Sequence, residues 1–485
     1  MNTNWISIAV LYGWFLCGLY AVRQLQKDKH VKKGFLFGAF FLGPFGLARQ
    51  YLKTCGGSLA EWFRFGKKEA EPTEYLDLVI MDSRGREMGS GHNAETAEVV
   101  GTVKKLLYDA IDRRSSDIFI DPKNDASVVR FRVDGMIRIY DTLLADKAAA
   151  VISLIKVASG MDIAEKRRPQ DGSFSVICDG TGTSFRVATV GVFGGEKITI
   201  RVIASENSRR ELTDIGLTPE QLSIVRSGIK LPSGMILMCG PTGSGKTSTL
   251  YSMLGAIDYT MKNVISIEDP IERVVPNISQ MEVNVKADIT FASLLRNSLR
   301  QNPDIICVGE IRDEETAGIA AHAAQTGHLI IATLHSNDNI GTIIRLTDLG
   351  VPLRSIASCL HLIISQRLVR MLCPHCRRSV DPAQLTPDQL SLCRRYSIDP
   401  AVLCTSPGCP ECDHTGFAGR KAVFELLTMT HELRAIMESS DSSVSAIQEY
   451  IEQNQGENSI LAITWQMLQN GEIPLEEFER VNINI

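Results

Sequence analysis

Gly240-Pro241-Thr242-Gly243-Ser244-Gly245-Lys246-Thr247 fills every position of the pattern G-x-x-x-x-G-K-[ST], and its neighbours supply the setting that the pattern needs. Met235 to Cys239 before it is an apolar run of buried-strand length, and Thr247 to Ala256 after it is rich in helix formers. Strand, loop and helix in that order gather backbone N–H groups and a helix N-terminus around one point, which is how a backbone cradles phosphate. The glycines let the main chain approach without a Cβ in the way. Lys246 can reach β- and γ-phosphates, and the Thr247 hydroxyl can ligate Mg²⁺. The stretch predicts a nucleoside triphosphate site.

A chain of 485 residues is too long for one core and implies two or three domains. Lys+Arg 51 against Asp+Glu 56 leaves a formal net charge of -5, so nucleic acid is not expected as the main partner. Several of the 12 cysteines stand alone in apolar surroundings, among them Cys178, Cys239, Cys307 and Cys359. That is the pattern of reduced core thiols in a reducing compartment. The N-terminus departs from this picture. Trp5 to Val22 carries no charge and is just long enough to span a bilayer, whereas Gly34 to Ala48 is shorter, contains Pro44, and reads as an interfacial piece. The connector between them holds Arg23, Lys27, Lys29, Lys32 and Lys33, which the positive-inside rule assigns to the cytoplasm. One span with its N-terminus outside, followed by a segment on the inner face, satisfies both constraints.

From Cys55 to about Asn93 the composition turns polar without a sustained period, and is read as a linker. A small α+β region follows. It opens with an apolar-periodic helix around Val99 to Ile111, and Val128 to Val133 and Met136 to Tyr140 flank the turn Asp134-Gly135 as a hairpin. Alternation puts Arg130 and Arg132 on one face and Phe131 and Val133 on the other. A second hairpin runs through Phe174 to Ile177 and Phe185 to Val190, with a further strand at Lys197 to Val202. After Glu211, short apolar runs at Met235 to Cys239, Val264 to Ile267, Ile305 to Val308 and Leu329 to Thr333 alternate with helical lengths. That alternation predicts a mostly parallel sheet with helices on both faces.

Acids follow two of these strands, where a parallel sheet presents ligand-facing residues at its C-terminal edge. Glu268 ends the first within Ile265-Ser266-Ile267-Glu268-Asp269-Pro270-Ile271-Glu272, and Glu310 follows the second, with Arg312 and Asp313 after it. Glu310 is assigned as the base that orients the attacking water, and Glu268 as a supporting contact to metal-bound water. His328 and His335 bracket the third strand and are read as a pair at one sheet edge with a γ-phosphate or signalling role. Further on, Cys373-Pro374-His375-Cys376 and Cys409-Pro410-Glu411-Cys412 form two C-x-x-C pairs. Each lets two thiolates approach one tetrahedral ion, and two within a polar, proline-containing segment favour structural Zn²⁺ over a redox dithiol.

Taken in order, the phosphate loop, the Ile-Glu-Asp-Pro-Ile-Glu run, Arg300 to Asp313 and Thr326 to Asp338 resemble the Walker A, Asp box, Walker B and His box of the ATPases that drive type II secretion and type IV pilus assembly. The resemblance runs from about Glu95 to the C-terminus, including Gly160 to Gly172, Gln366 to Arg370, the cysteine knuckle and Thr415 to Arg420. It implies a RecA-like P-loop domain over 207–485, with the zinc knuckle at 373–412 and C-terminal helices, preceded by a PAS-like α+β domain over 94–206. The linker takes 56–93 and the membrane-associated segments 1–55. It further implies a homo-hexamer that hydrolyses ATP with Mg²⁺, holds nucleotide between its two domains, and works through an inner-membrane platform protein on a pilin or pseudopilin fibre. The protein would sit at the cytoplasmic face of the bacterial inner membrane. The knuckle points to assembly and not retraction.

Family members bring first-domain arginines to the phosphates, and Arg186 and Arg201 are the matching positions. Ser173 stands where an arginine is common, and Gly309 where many P-loop enzymes carry a metal-directing Asp, a feature the family shares. The alternatives are a nucleotide-gated platform with little hydrolysis, which Ser173 would suit, and a conjugative or DNA-uptake motor, which the charge and the knuckle disfavour.

Overall fold

The computed structural model describes residues 77–88, 94–203, 211–439, 443–455 and 458–483. The chain divides into two compact units, Met1–Tyr75 and Leu76–Ile485. The first, with the apolar segments expected to meet a membrane, lies outside the described residues. Among the described residues no helix is long and apolar enough to cross a membrane.

The second unit holds two seven-stranded sheets. The first is wholly antiparallel and is built from β1 (Val79–Met81), β2 (Asp117–Pro122), β3 (Ala126–Val133), β4 (Met136–Leu144), β5 (Gln170–Cys178), β6 (Thr181–Val192) and β7 (Gly195–Ile203), in the order β1-β5-β6-β7-β2-β3-β4. β1 comes from the stretch read as linker, and pairs with β5 through Val79↔Ile177 and Met81↔Ser175. Strict alternation gives the sheet one apolar and one polar face. Ile118, Phe131, Val187 and Ile200 are buried in one core with residues of the helices Ala94–Asp112 and Ala145–Ala158. The opposite face carries a row of successive cross-strand partners, Arg132, Asp117, Arg201, Arg186 and Ser173, running through β3, β2, β7, β6 and β5.

The second sheet consists of β8 (Gly234–Cys239), β9 (Val264–Glu268), β10 (Ser279–Glu282), β11 (Ile305–Val308), β12 (Leu329–Leu334), β13 (Leu360–Leu372) and one strand after the cysteine segment. That segment contributes the two-stranded pair β14 (Arg378–Ser379) and β15 (Cys404–Thr405), and the last strand is β16 (Phe417–Thr428). The order is β10-β9-β11-β12-β8-β13-β16, parallel except for β13 against β16. β8 is buried on both faces: Met235, Leu237 and Cys239 join one core, Ile236 and Met238 the other. Helices therefore cover both sides, as a parallel sheet requires. The helix Lys246–Gly255 packs Leu250, Tyr251, Met253 and Leu254 into the second core, which fixes the phosphate loop between a buried strand and a buried helix. A fourth core joins β13 and β16 to the C-terminal helices Ile460–Gln469 and Leu475–Asn482 and to the cysteine segment.

Candidate functional site

The phosphate loop leaves β8 at Gly240 and enters its helix at Gly245, with φ of 143° and 93° at these two glycines. A Cβ on Gly240 would lie 2.4 Å from the Gln366 carbonyl oxygen, and one on Gly245 would lie 2.8 Å from the Gln366 side-chain nitrogen. At Gly240 the β13 backbone leaves no room for a side chain, and at Gly245 the Gln366 side chain would have to shift, so β13 adds to the positive φ in favouring glycine at both. Gly245 gives the helix no side-chain cap, which suits first-turn N–H groups to an anion. The Lys246 ammonium is buried and donates to Gly240 O at 2.6 Å and Pro241 O at 3.2 Å. Burial lowers its pKa, opposed in part by the Glu310 carboxylate. Ser244 Oγ is buried without a partner. A buried cation held only by carbonyls beside an orphaned hydroxyl fits a phosphate group. Thr247 is exposed at the first turn, and Gly243, Pro241 and Thr242 complete an exposed rim.

Glu310 stands two residues beyond β11 with its side chain mostly covered. One oxygen pairs with Arg312 and the other lies 3.4 Å from His335 Nε2. Arg312 also reaches Asp269 at 3.5 Å, and its hydrogen bond to Glu310 raises its pKa. His335 follows β12, and burial first, then Lys246 and Arg312, hold its pKa below 6.5 against the pull of Glu310. Lys246, Glu310, Arg312 and His335 thus form one electrostatic group at the C-terminal edge of the sheet. His328 is not part of it. It precedes β12 and contacts Ala323 O at 3.2 Å, so it lies at the other end of a six-residue strand, about 20 Å away at the usual rise. Residues bracketing one strand must face opposite sheet edges, which corrects the expectation of a histidine pair.

Glu268 ends β9 beside the site but is enclosed. One oxygen accepts from Ser266 Oγ at 2.7 Å and Gln280 Nε2 at 2.9 Å, and the other from the Tyr251 hydroxyl. Of the two arginines expected to meet the phosphates, Arg186 crosses to the loop after β9, donating to Ile271 O at 3.0 Å and Glu272 at 3.1 Å. Arg201 stays on its own sheet, 3.3 Å from Asp117 and two-thirds exposed. Arg186, Ser173 and Glu272 line a cleft of about 430 Å³ between the two sheets. Three residues to which the sequence assigns no role at the site belong to this framework. Tyr251 and Gln280 hold Glu268, and buried Arg367 donates to Asn337 O at 2.6 Å in the loop after His335. Their signal was available only as a tyrosine in the phosphate-loop helix and a polar Ser365-Gln366-Arg367 run within an apolar strand.

The four sulfurs of Cys373, Cys376, Cys409 and Cys412 lie within 4.8 Å of one another. Three S···S separations are 3.9, 3.9 and 3.7 Å. A tetrahedron with Zn–S of about 2.3 Å has edges of about 3.8 Å, so the set fits zinc. Backbone N–H groups of Cys409 and Gly416 each donate to Cys412 Sγ at 3.2 Å, which favours a thiolate there. Among the described residues no disulfide is formed.

Residues 92–480 match the family model described as type II/IV secretion system protein. Over 427 residues the chain is 39% identical to the type II secretion system protein E of Aeromonas hydrophila, covering 88% of this chain and 81% of that one. It is 42% identical over 370 residues to the type IV pilus assembly ATPase PilB of Thermus thermophilus, covering 76% of this chain and 40% of that one. Among solved structures, the pilus retraction motor PilT with bound ADP matches with a TM-score of 0.54 at 26% identity, over 78% of this chain and 96% of that chain.

Proposed function

The chain belongs to the type II/IV secretion system protein family, and from that premise we propose that it is a homo-hexameric motor that hydrolyses ATP to extend a pilus or drive a type II-like secretion fibre. The observation that carries this reading is the group formed by Lys246, Glu310 and His335 at the mouth of the phosphate loop. The loop amides and Lys246 bind the phosphates, and Thr247 holds Mg²⁺, whose charge would stabilise the triphosphate and its leaving group. Glu310 orients water for attack on the γ-phosphorus, His335 responds to the γ-phosphate, and Glu268 supports them from behind. Arg186 and Arg201 reach the nucleotide when the 94–206 domain closes on the 207–485 domain. Cys373, Cys376, Cys409 and Cys412 would hold Zn²⁺, which would brace the knuckle.

Hydrolysis by the purified full-length protein in a single turnover tests the reading. Glu310→Gln is expected to slow it by roughly 100-fold or more, and Lys246→Ala to abolish nucleotide binding. Equal rates for wild type and Glu310→Gln overturn it in favour of a nucleotide-gated platform, the reading that Ser173 would favour.

We place the protein at the cytoplasmic face of the inner membrane, tethered through residues 1–55 and coupled to an inner-membrane platform protein. The charge-free run Trp5 to Val22 and the basic connector after it support the tether. Deleting residues 1–53 should release the protein into the soluble fraction of cells that lack the other apparatus proteins. Unchanged membrane recovery refutes the tether.

A further inference from the structure

Tyr251 lies five residues past Lys246 on the phosphate-loop helix and is 6% exposed. A buried phenol needs partners, and these come from outside its helix. It donates to Glu268 at the end of β9 and accepts the Arg273 backbone N–H at 3.1 Å. The Arg273 guanidinium covers its ring at 4.7 Å from the centroid. Burial and the Glu268 carboxylate both raise the phenol pKa, so it remains a donor at any physiological pH.

Gln280 of β10 closes the same unit from the other side. Its amide donates to Glu268 at 2.9 Å and to Arg273 O at 2.9 Å, and its carbonyl accepts from Val275 N at 2.7 Å. Both backbone groups of Arg273 are therefore tied, one to the phosphate-loop helix and one to the sheet edge. Two residues earlier this loop receives Arg186 of the first sheet, at Ile271 O and Glu272. Hydrogen bonds at Arg273 and at Ile271 and Glu272, joined by the short backbone between them, lead from the helix that carries Lys246 to β6.

We propose that Tyr251 is a positioning residue that makes the 269–274 loop move as one piece with the phosphate-loop helix, so that nucleotide state passes to the first sheet through Ile271, Glu272 and Arg186. The inference rests on the ATP-binding reading above. A phenylalanine would fill the same core volume, so packing alone does not explain the hydroxyl. Its removal leaves one oxygen of a buried carboxylate without its donor, and the Arg273 N–H without its acceptor.

The test uses the full-length protein and Tyr251→Phe, with amide hydrogen exchange followed as a non-hydrolysable ATP analogue is added. In the wild type the analogue should slow exchange in the phosphate loop, the 269–274 loop and β6. In Tyr251→Phe the loop holding Lys246 should still be protected, with β6 unresponsive. Steady-state hydrolysis should show kcat reduced about tenfold with KM for ATP within twofold. Tyr251→Phe combined with Arg186→Gln should be no slower than the slower single variant, because both cut one linkage. Gln280→Leu, which frees the other side of Arg273, should reproduce the exchange result if Tyr251→Phe fails to fold. A β6 response that persists in either folded variant, or kcat effects that multiply, overturns the relay. Wild-type protein that binds the analogue but does not hydrolyse ATP overturns the ATPase reading and leaves the exchange experiment to decide the relay.

Discussion

His335 shows how a single residue acquires its chemistry from neighbours that the sequence scatters widely. Burial disfavours its cation, Lys246 and Arg312 repel it, and only Glu310 at 3.4 Å favours it. Its pKa consequently lies below 6.5, and the imidazole is neutral at pH 7 to 8, free to accept a hydrogen bond from a phosphate-bound water or to donate one to a phosphate oxygen. The sign follows for stability as well. A depressed histidine pKa means that its contribution is fully present above pH 6.5 and is lost as pH falls through the folded-state value. The side chain is half exposed, so that contribution is small and activity is the better readout. We expect kcat for ATP hydrolysis to be level from pH 7 to 8 and to fall below pH 6.5 as the imidazole protonates. His335→Asn should lower the plateau and remove the acidic limb. A profile for His335→Asn that keeps the wild-type limb would assign that limb to another group.

At the scale of elements, the cysteine knuckle and β13 explain what could and could not be read in advance. The knuckle spans the connection from β13 to β16, and Cys373 N donates to Gly416 O at 2.9 Å, so the ion would close the base of a loop of some forty residues. Loop closure on that scale is entropically significant. Cys409→Ser with Cys412→Ser should abolish one equivalent of bound zinc by atomic absorption and lower the melting temperature by roughly 4 °C, taking the loss as about 3 kcal/mol. Full zinc content in the variant would show that these sulfurs are not the ligands. The spacing made this element legible, because two C-x-x-C pairs have few physical explanations. The strands β8, β11 and β12 were legible for a similar reason, being short apolar runs buried on both faces. β13 was not, although it is the longest strand of its sheet, because Ser365, Gln366 and Arg367 interrupt its apolar run. These polar residues are there to serve the site: Ser365 meets Cys239 at 2.8 Å, Gln366 accepts from Thr249 at 2.8 Å, and Arg367 holds the loop after His335. The role of Tyr251 was hidden for the same reason, since it depends on the pairing of β9 with β10 that sets Gln280 beside Ser266.

Across the whole molecule, the two sheets meet at two places that local sequence does not reveal. The turn between β3 and β4 docks beside the knuckle, with Asp134 accepting from Gly419 N at 3.0 Å and Arg138 donating to Asp413 O at 3.3 Å. At the other place Arg186 grips Ile271 and Glu272, and these three residues line one wall of the cleft of about 430 Å³ that opens beside them. Ser173 faces that cleft as the direct cross-strand partner of Arg186, at the end of a row already holding Arg132 and Arg201. A longer side chain there has space, and Glu272 offers a carboxylate to it. Ser173→Arg would place a second guanidinium against Glu272, sharing the acid that now engages Arg186 and leaving one cation freer to turn toward a phosphate as the domains close. Like charges on adjacent strands disfavour the substitution slightly, by an amount comparable with a surface pair, about 0.5 kcal/mol. We expect Ser173→Arg to raise kcat roughly threefold to tenfold with little change in melting temperature, measured by steady-state hydrolysis and thermal unfolding. An unchanged or lower kcat in a normally folded variant would mean that this face of the first sheet does not close on the nucleotide, and that Arg186 serves the 269–274 loop alone.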